Sequence, residues 1–113
     1  MDKRKLIKIA ENYFKAWSDH NLTEITSLFA EDICLHDWES NEKNLENVAK
    51  VNSEIFKNFP NISVEVINLA QFDENRIVAE LKVNIEKNKS IDVVDIITFN
   101  NNYFIKAIKA YKC

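Results

Sequence analysis

Not one of the 113 residues is glycine. Glycine enters left-handed backbone at no steric cost, so every turn that needs positive φ must here be made by another residue. Asparagine and aspartate are the usual substitutes, because a short polar side chain tolerates that region. Asparagines stand where turns are wanted, at Asn75, Asn88 and Asn100-Asn101-Asn102, and are expected to supply them. The same absence removes whole functional classes. A P-loop, a dinucleotide-binding fingerprint and a glycine-flanked nucleophile elbow all need glycine at fixed offsets.

A chain of 113 residues suits one domain, 1–113, with a single core. The net charge is −3 and the cations are scattered, so no basic field invites nucleic acid. Lys3-Arg4-Lys5 reads as a solvated helix face. No apolar run approaches membrane length, and Leu6-Ile7-Lys8-Ile9-Ala10-Glu11 reads as an amphipathic helix and not as the apolar stretch of a leader. The two cysteines, Cys34 and Cys113, form neither a disulfide framework nor a metal spacing. A reduced, cytoplasmic protein without metal or cofactor is the simplest expectation.

Periodicity divides the chain in two. Leu6, Ile9, Ala10, Tyr13 and Trp17 recur at helical spacing over residues 4–18. Asn21 with Glu24 forms a capping box for a second helix, whose buried face would be Ile25, Leu28 and Phe29 and whose end would be Asp32. Residues 33–38 alternate as a short strand, and 39–44 read as a polar loop. Asn44 can cap a third helix that runs to Phe59 and stops before Pro60. Thereafter Ile62, Val64 and Val66, then Ile77 to Ile85, Ile91 to Phe99 and Tyr103 to Tyr111, alternate as four strands joined by short polar turns. Helices on one side of an antiparallel sheet make an α+β fold.

Three residues break their own patterns. Asp95 sits among Ile91, Val93, Ile97 and Phe99 on one strand face, where an ionised carboxylate is costly. It needs a partner or a raised pKa. Asp37 continues the Ile33 and Leu35 side of its strand. Tyr13 lies in the apolar stripe of the first helix, where its hydroxyl wants a partner. Each also has an ordinary reading: a satisfied structural aspartate, a turn aspartate and a core aromatic. His36 should point to the face opposite Asp37, and His20 falls in a solvated connection. Two such separated histidines argue poorly for a metal site.

The segments Asn12-Tyr13-Phe14-Lys15-Ala16-Trp17, Asn21-Leu22-Thr23-Glu24-Ile25 and Leu28-Phe29-Ala30-Glu31-Asp32-Ile33-Cys34-Leu35-His36-Asp37 resemble the opening of bacterial ketosteroid isomerases. Ile91-Asp92-Val93-Val94-Asp95-Ile96-Ile97-Thr98-Phe99-Asn100 and Ile108-Lys109-Ala110-Tyr111 resemble their later strands. The resemblance implies the SnoaL-like (cystatin-like, nuclear transport factor two-like) cone: three N-terminal helices packed on a strongly curved antiparallel sheet around a pocket. It implies Tyr13 and a protonated Asp95 as an oxyanion hole, and Asp37 as general base. The implied pocket walls are Trp17, Phe29, Phe56, Ala79, Ile91, Val93, Ile108 and Ala110. Departures from the family pattern are Trp38 after the base, Phe29 and Phe56 at positions that carry supporting tyrosines in some members, Trp17 at a usually smaller position, Lys112 in place of a tryptophan, and a chain that stops at Cys113. They point to a small hydrophobic carbonyl compound and away from a full steroid.

Three functions stay open on these grounds: proton transfer α to a carbonyl, non-catalytic ligand binding, and a polyketide cyclase-like or dehydratase-like lyase, which would want a pocket histidine. An epoxide hydrolase-like site would want an inward arginine, and Arg4 and Arg76 are not obviously inward. The resemblance also implies a homodimer, with Val78, Val94, Ile96 and Ile105 covering the open face of the sheet.

Overall fold

The computed structural model describes every residue, Met1–Cys113. Helix α1 (Lys3–Ser18) is capped by Asp2, whose carboxylate accepts the N–H groups of Arg4 and Lys5. This satisfies two of the donors that a helix start leaves unpaired. Leu6, Ala10, Tyr13 and Phe14 form its buried stripe. The last turn is pinned to the sheet. The Ser18 hydroxyl donates to the Val64 carbonyl (3.2 Å) and accepts the Val64 N–H (2.9 Å).

Helix α2 (Leu22–Ser27) opens on Asn21, whose side chain accepts the Glu24 N–H at 3.1 Å. It is shorter than the pattern suggests and ends at Ser27, not Asp32. Thr26 and Ser27 turn their hydroxyls back onto the carbonyls of Leu22 and Glu24. The Leu28 carbonyl then accepts the N–H of Ile105 from the far end of the chain. That bond draws Leu28 and Phe29 out of the helix, and strand β1 (Phe29–His36) starts four residues earlier than Ile33. The polar stretch after it is not all loop: β2 (Asn41–Lys43) folds back on β1, with His36 opposite Asn41 and Cys34 opposite Lys43. Helix α3 (Leu45–Asn58) follows, capped by Asn44.

Strands β3 (Ser63–Asp73), β4 (Arg76–Glu86), β5 (Lys89–Phe99) and β6 (Ile105–Lys112) form the expected antiparallel meander. The sheet order is β2-β1-β6-β5-β4-β3. One neighbour pair, β1 with β6, is parallel, because β1 enters from the helical half of the chain in the same direction as the last strand. The two edges, β2 and β3, do not pair with each other. The curved sheet therefore stays open, with the helices on its concave side: the α+β arrangement that the pattern predicts, in the cone form that the resemblance implies.

Bulges set which residues face inward. Between Thr98 and Phe99 the β5–β6 register slips by one residue, which turns Ile105 into the core, where it is fully buried. Ile105 is therefore not on the outer face, as expected, and only Val78, Val94 and Ile96 of that group lie there, half-buried. Four residues take positive φ: His20, Asn44, Asn88 and Tyr103. Asn88 is one of the expected turn residues; Asn75, Asn101 and Asn102 are not used in this way. Asn100 works through its side chain, accepting the N–H groups of Asn102 and Phe104 so that Tyr103 can take the left-handed position. His20 is half-buried, not free in solvent. Its ring stacks on Phe56 with centroids 4.2 Å apart and donates from Nε2 to the Ile62 carbonyl at 2.7 Å, a proton placement set by the carbonyl being an acceptor only. No helix is long and apolar enough to cross a membrane.

Candidate active site

The concave side of the sheet and the helices enclose a cavity of about 350 Å³. Of its 23 lining residues 16 are hydrophobic, so the few polar groups decide its chemistry. The volume is at the low end of the ~300–1,000 Å³ typical of small-molecule sites.

Asp95 lies at the centre of β5, opposite Ala79 on β4 and Ala110 on β6. Two alanines flank it, so its carboxyl is not covered by a neighbouring side chain. It is 7% exposed, and no protein group hydrogen-bonds it. Burial, and secondarily the negative charge of Asp37, push its pKa up to about 7. Below that pH the carboxyl holds its proton and can donate.

Tyr13 comes from α1 and is buried. Its ring packs on Phe14 (5.2 Å) and Phe29 (5.7 Å) in tilted geometry, which fixes where the hydroxyl points. Burial, and then the nearby Asp95, raise its pKa well above the ordinary tyrosine value, so it stays a neutral O–H donor. No buried side-chain nitrogen or oxygen lacks a hydrogen-bond partner, and Tyr13 and Asp95 have none in the protein. Their polar atoms therefore open onto the cavity.

Asp37 follows β1 at the corner of the β1–β2 hairpin. Its Oδ1 accepts two backbone N–H groups, from Glu39 (2.8 Å) and Ser40 (2.6 Å). Its own N–H donates to the Ser40 carbonyl at 2.9 Å. One carboxylate oxygen is thus occupied by the turn, and Oδ2 is left free in a residue that lines the cavity. The polar residues 39–40 that looked like plain loop are the clamp that holds Asp37.

Tyr13, Asp37 and Asp95 accordingly share one cavity. Trp17, Ile91, Val93, Ile108 and Ala110 line it with them, as does Lys112. Three expected wall residues do not. Phe29 lies behind Tyr13 as its packing partner. Phe56 is covered by His20 and by the Trp17 ring, whose centroid is 5.1 Å away. Ala79, without exposed surface, lies beside Asp95 on the neighbouring strand. His36 is exposed and points away from the cavity, and neither it nor His20 lines the cavity. Arg4 and Arg76 do not line it either; Arg76 pairs with Asp73 at the β3–β4 turn. No three His, Cys, Asp or Glu side chains gather closely enough to hold a metal ion.

Sequence reading missed Asn52. It is one of two buried polar residues, the other being Asp95, and it lines the cavity from α3. The signal was present: Val48, Asn52 and Phe56 recur every four residues on the buried stripe of α3. Reading the helix by its apolar members alone passed over the polar one.

Residues 10–106 match the SnoaL-like domain family. No protein of curated function matches the sequence. Among solved structures, a protein from Kribbella flavida provisionally assigned as a ketosteroid isomerase superposes with a TM-score of 0.86 at 14% identity, over 99% of this chain and 80% of that one. A SnoaL-like protein of unknown function from Burkholderia thailandensis gives 0.88 at 13% identity, over 100% and 98%. A provisionally assigned polyketide cyclase from Sinorhizobium meliloti gives 0.83 at 15% identity, over 97% and 99%. At these identities the likeness is one of fold, and function has to be argued from the cavity itself.

Proposed function

The chain belongs to the SnoaL-like domain family, and from that premise we propose that it catalyses proton transfer next to the carbonyl of a small hydrophobic molecule, without a cofactor. The observation that carries this reading is the pairing of unlike carboxyls in one apolar cavity. The Asp95 carboxyl has its pKa raised to about 7 by burial and lines the same cavity as the neutral Tyr13 hydroxyl. Asp37 is held at a hairpin corner with one oxygen free.

In the proposed reaction Oδ2 of Asp37 takes the proton α to the carbonyl of a β,γ-unsaturated ketone. The electron pair moves onto the carbonyl oxygen. The enolate oxygen accepts hydrogen bonds from Tyr13 and Asp95, donors that are in place before charge develops and need no water to reorganise. Asp37 then returns the proton to the γ-carbon, which gives the conjugated isomer. The base moves only one proton over a short distance, so a single free oxygen is enough.

The cyclase-like or dehydratase-like alternative finds less support, because neither histidine reaches the cavity. An epoxide hydrolase-like site lacks its arginine there for the same reason. The test is turnover of a small β,γ-unsaturated ketone by the purified protein. Conversion by the native chain that disappears in Asp37→Asn supports the proposal. Binding of the ketone without conversion would leave a ligand-binding domain instead.

The same reading extends to assembly. Val78, Val94 and Ile96 on the outer sheet face, with the exposed Tyr111 beside them, are proposed to be covered by a second copy of the chain. A monomer by light scattering at micromolar concentration would contradict this.

A further inference from the structure

Asn52 is 4% exposed and projects from α3 into the cavity. Its Oδ1 accepts the indole N–H of Trp17 at 3.2 Å. An indole N–H can only donate, so the bond fixes which end of the amide faces Trp17. The oxygen is taken and the Nδ2 amide, with two N–H donors, is turned the other way. No protein atom accepts from Nδ2, and since no buried polar side-chain atom is left without a partner, Nδ2 opens onto the cavity.

A buried amide donor in a mostly apolar site is costly unless something accepts from it. Leucine would fill the Val48–Phe56 stripe without that cost. We propose that Asn52 is a specificity residue for a second oxygen acceptor on the ligand, and that Trp17 is the positioning residue that presents its Nδ2. The ligand class is then narrower than a small apolar ketone. It is a compact carbonyl compound that carries a further ether, carbonyl or hydroxyl oxygen at its other end. Asn52 on α3 and Tyr13 on α1 line the same cavity from different helices, so the two recognition points address different parts of one ligand. This inference rests on the cavity being the ligand site, but not on catalysis.

Two probes of near-equal shape isolate that oxygen: 6-methoxy-2-naphthol and 6-ethyl-2-naphthol, which differ by an ether oxygen in place of a methylene. Calorimetric titration of the native chain should give binding about tenfold tighter for the methoxy compound, the scale of one buried hydrogen bond. In Asn52→Leu the preference should vanish. In the native protein, the 15N-resolved Asn52 side-chain amide protons should shift with the methoxy probe and not with the ethyl probe. This second measurement holds even if the variant fails to fold. Equal affinities, a preference that survives in Asn52→Leu, unmoved amide protons, or no binding of either probe would each overturn the proposal. Failure of the oxyanion-hole reading is separable. It would show as naphthol affinity unchanged in Tyr13→Phe while the methoxy preference persists.

Discussion

Asp37 and Asp95 have the same side chain and share one cavity, yet the fold gives them opposite surroundings. Asp95 sits in the middle of β5, between alanines on both neighbouring strands, with no donor to it from the protein. Asp37 sits at a hairpin corner, with two backbone N–H groups on one oxygen. Backbone donors are what a strand centre cannot offer, because its N–H groups are spent on the ladder. A tight turn has them to spare. The difference teaches that the surroundings of a carboxyl follow from its position in the fold: the sheet centre leaves Asp95 without a donor, and the hairpin corner supplies Asp37 with two.

Breaking the base should have the largest effect. Asp37→Asn keeps an oxygen to accept from Glu39 and Ser40 but removes the basic one. Turnover of the small ketone should fall by ~10²–10⁴-fold, the usual contribution of a positioned general base, with affinity for 2-naphthol kept. Steady-state kinetics beside a binding titration check this.

Next is the cost of Asp95. Its pKa is about 7 when folded against roughly 3.9 in an unfolded chain. Below pH 4 both states are protonated and there is no penalty. Between pH 4 and 7 the unfolded chain releases the proton first, so stability falls as pH rises. The loss is of the order of 4 kcal/mol by pH 8. Asp95→Asn should remove this slope, and denaturant midpoints measured from pH 4 to 8 should show the variant gaining on the native chain as pH rises. The same titration predicts that kcat/KM declines above about pH 7, as the donor is lost.

Tyr13→Phe sharpens the comparison from the other side. It removes one hole donor and leaves both carboxyls. A ~10²–10³-fold fall in kcat is expected for one donor, with the decline above pH 7 preserved because Asp95 still titrates. Smallest is Ser18→Ala, which unties α1 from β3. It should cost about 1 kcal/mol in chemical denaturation and leave both carboxyls where they are.

Much of this arrangement could be read before any coordinates. The change from 3.6-residue to two-residue spacing separates α1 and α3 from β3 to β6. Asp95 and Tyr13 stand out because each violates a strong local pattern. What escaped has a common physical cause in long-range pairing. The Leu28 carbonyl leaves α2 for the N–H of Ile105, a residue far along the chain. The β2 strand is three polar residues that gain their form only by lying against β1. His20 takes a left-handed backbone because the Phe56 ring and the Ile62 carbonyl receive it. Ile105 changes faces through a bulge that alternation alone does not reveal. Asn52 is different, since its place on the α3 stripe was visible and only its polarity hid it. The lack of glycine, which suggested asparagine at every tight turn, is met by a histidine and a tyrosine as well, each held by packing or by a neighbour's side chain.

The central claim is that Asp95, without a hydrogen-bond donor from the protein, holds its proton in the cavity up to about pH 7. The direct measurement is 13C NMR of the labelled aspartate carboxyls across pH 3 to 9, with Asp95→Asn to assign the resonance. The account predicts an Asp95 midpoint near 7. A midpoint close to 4, in the ordinary aspartate range, would contradict it.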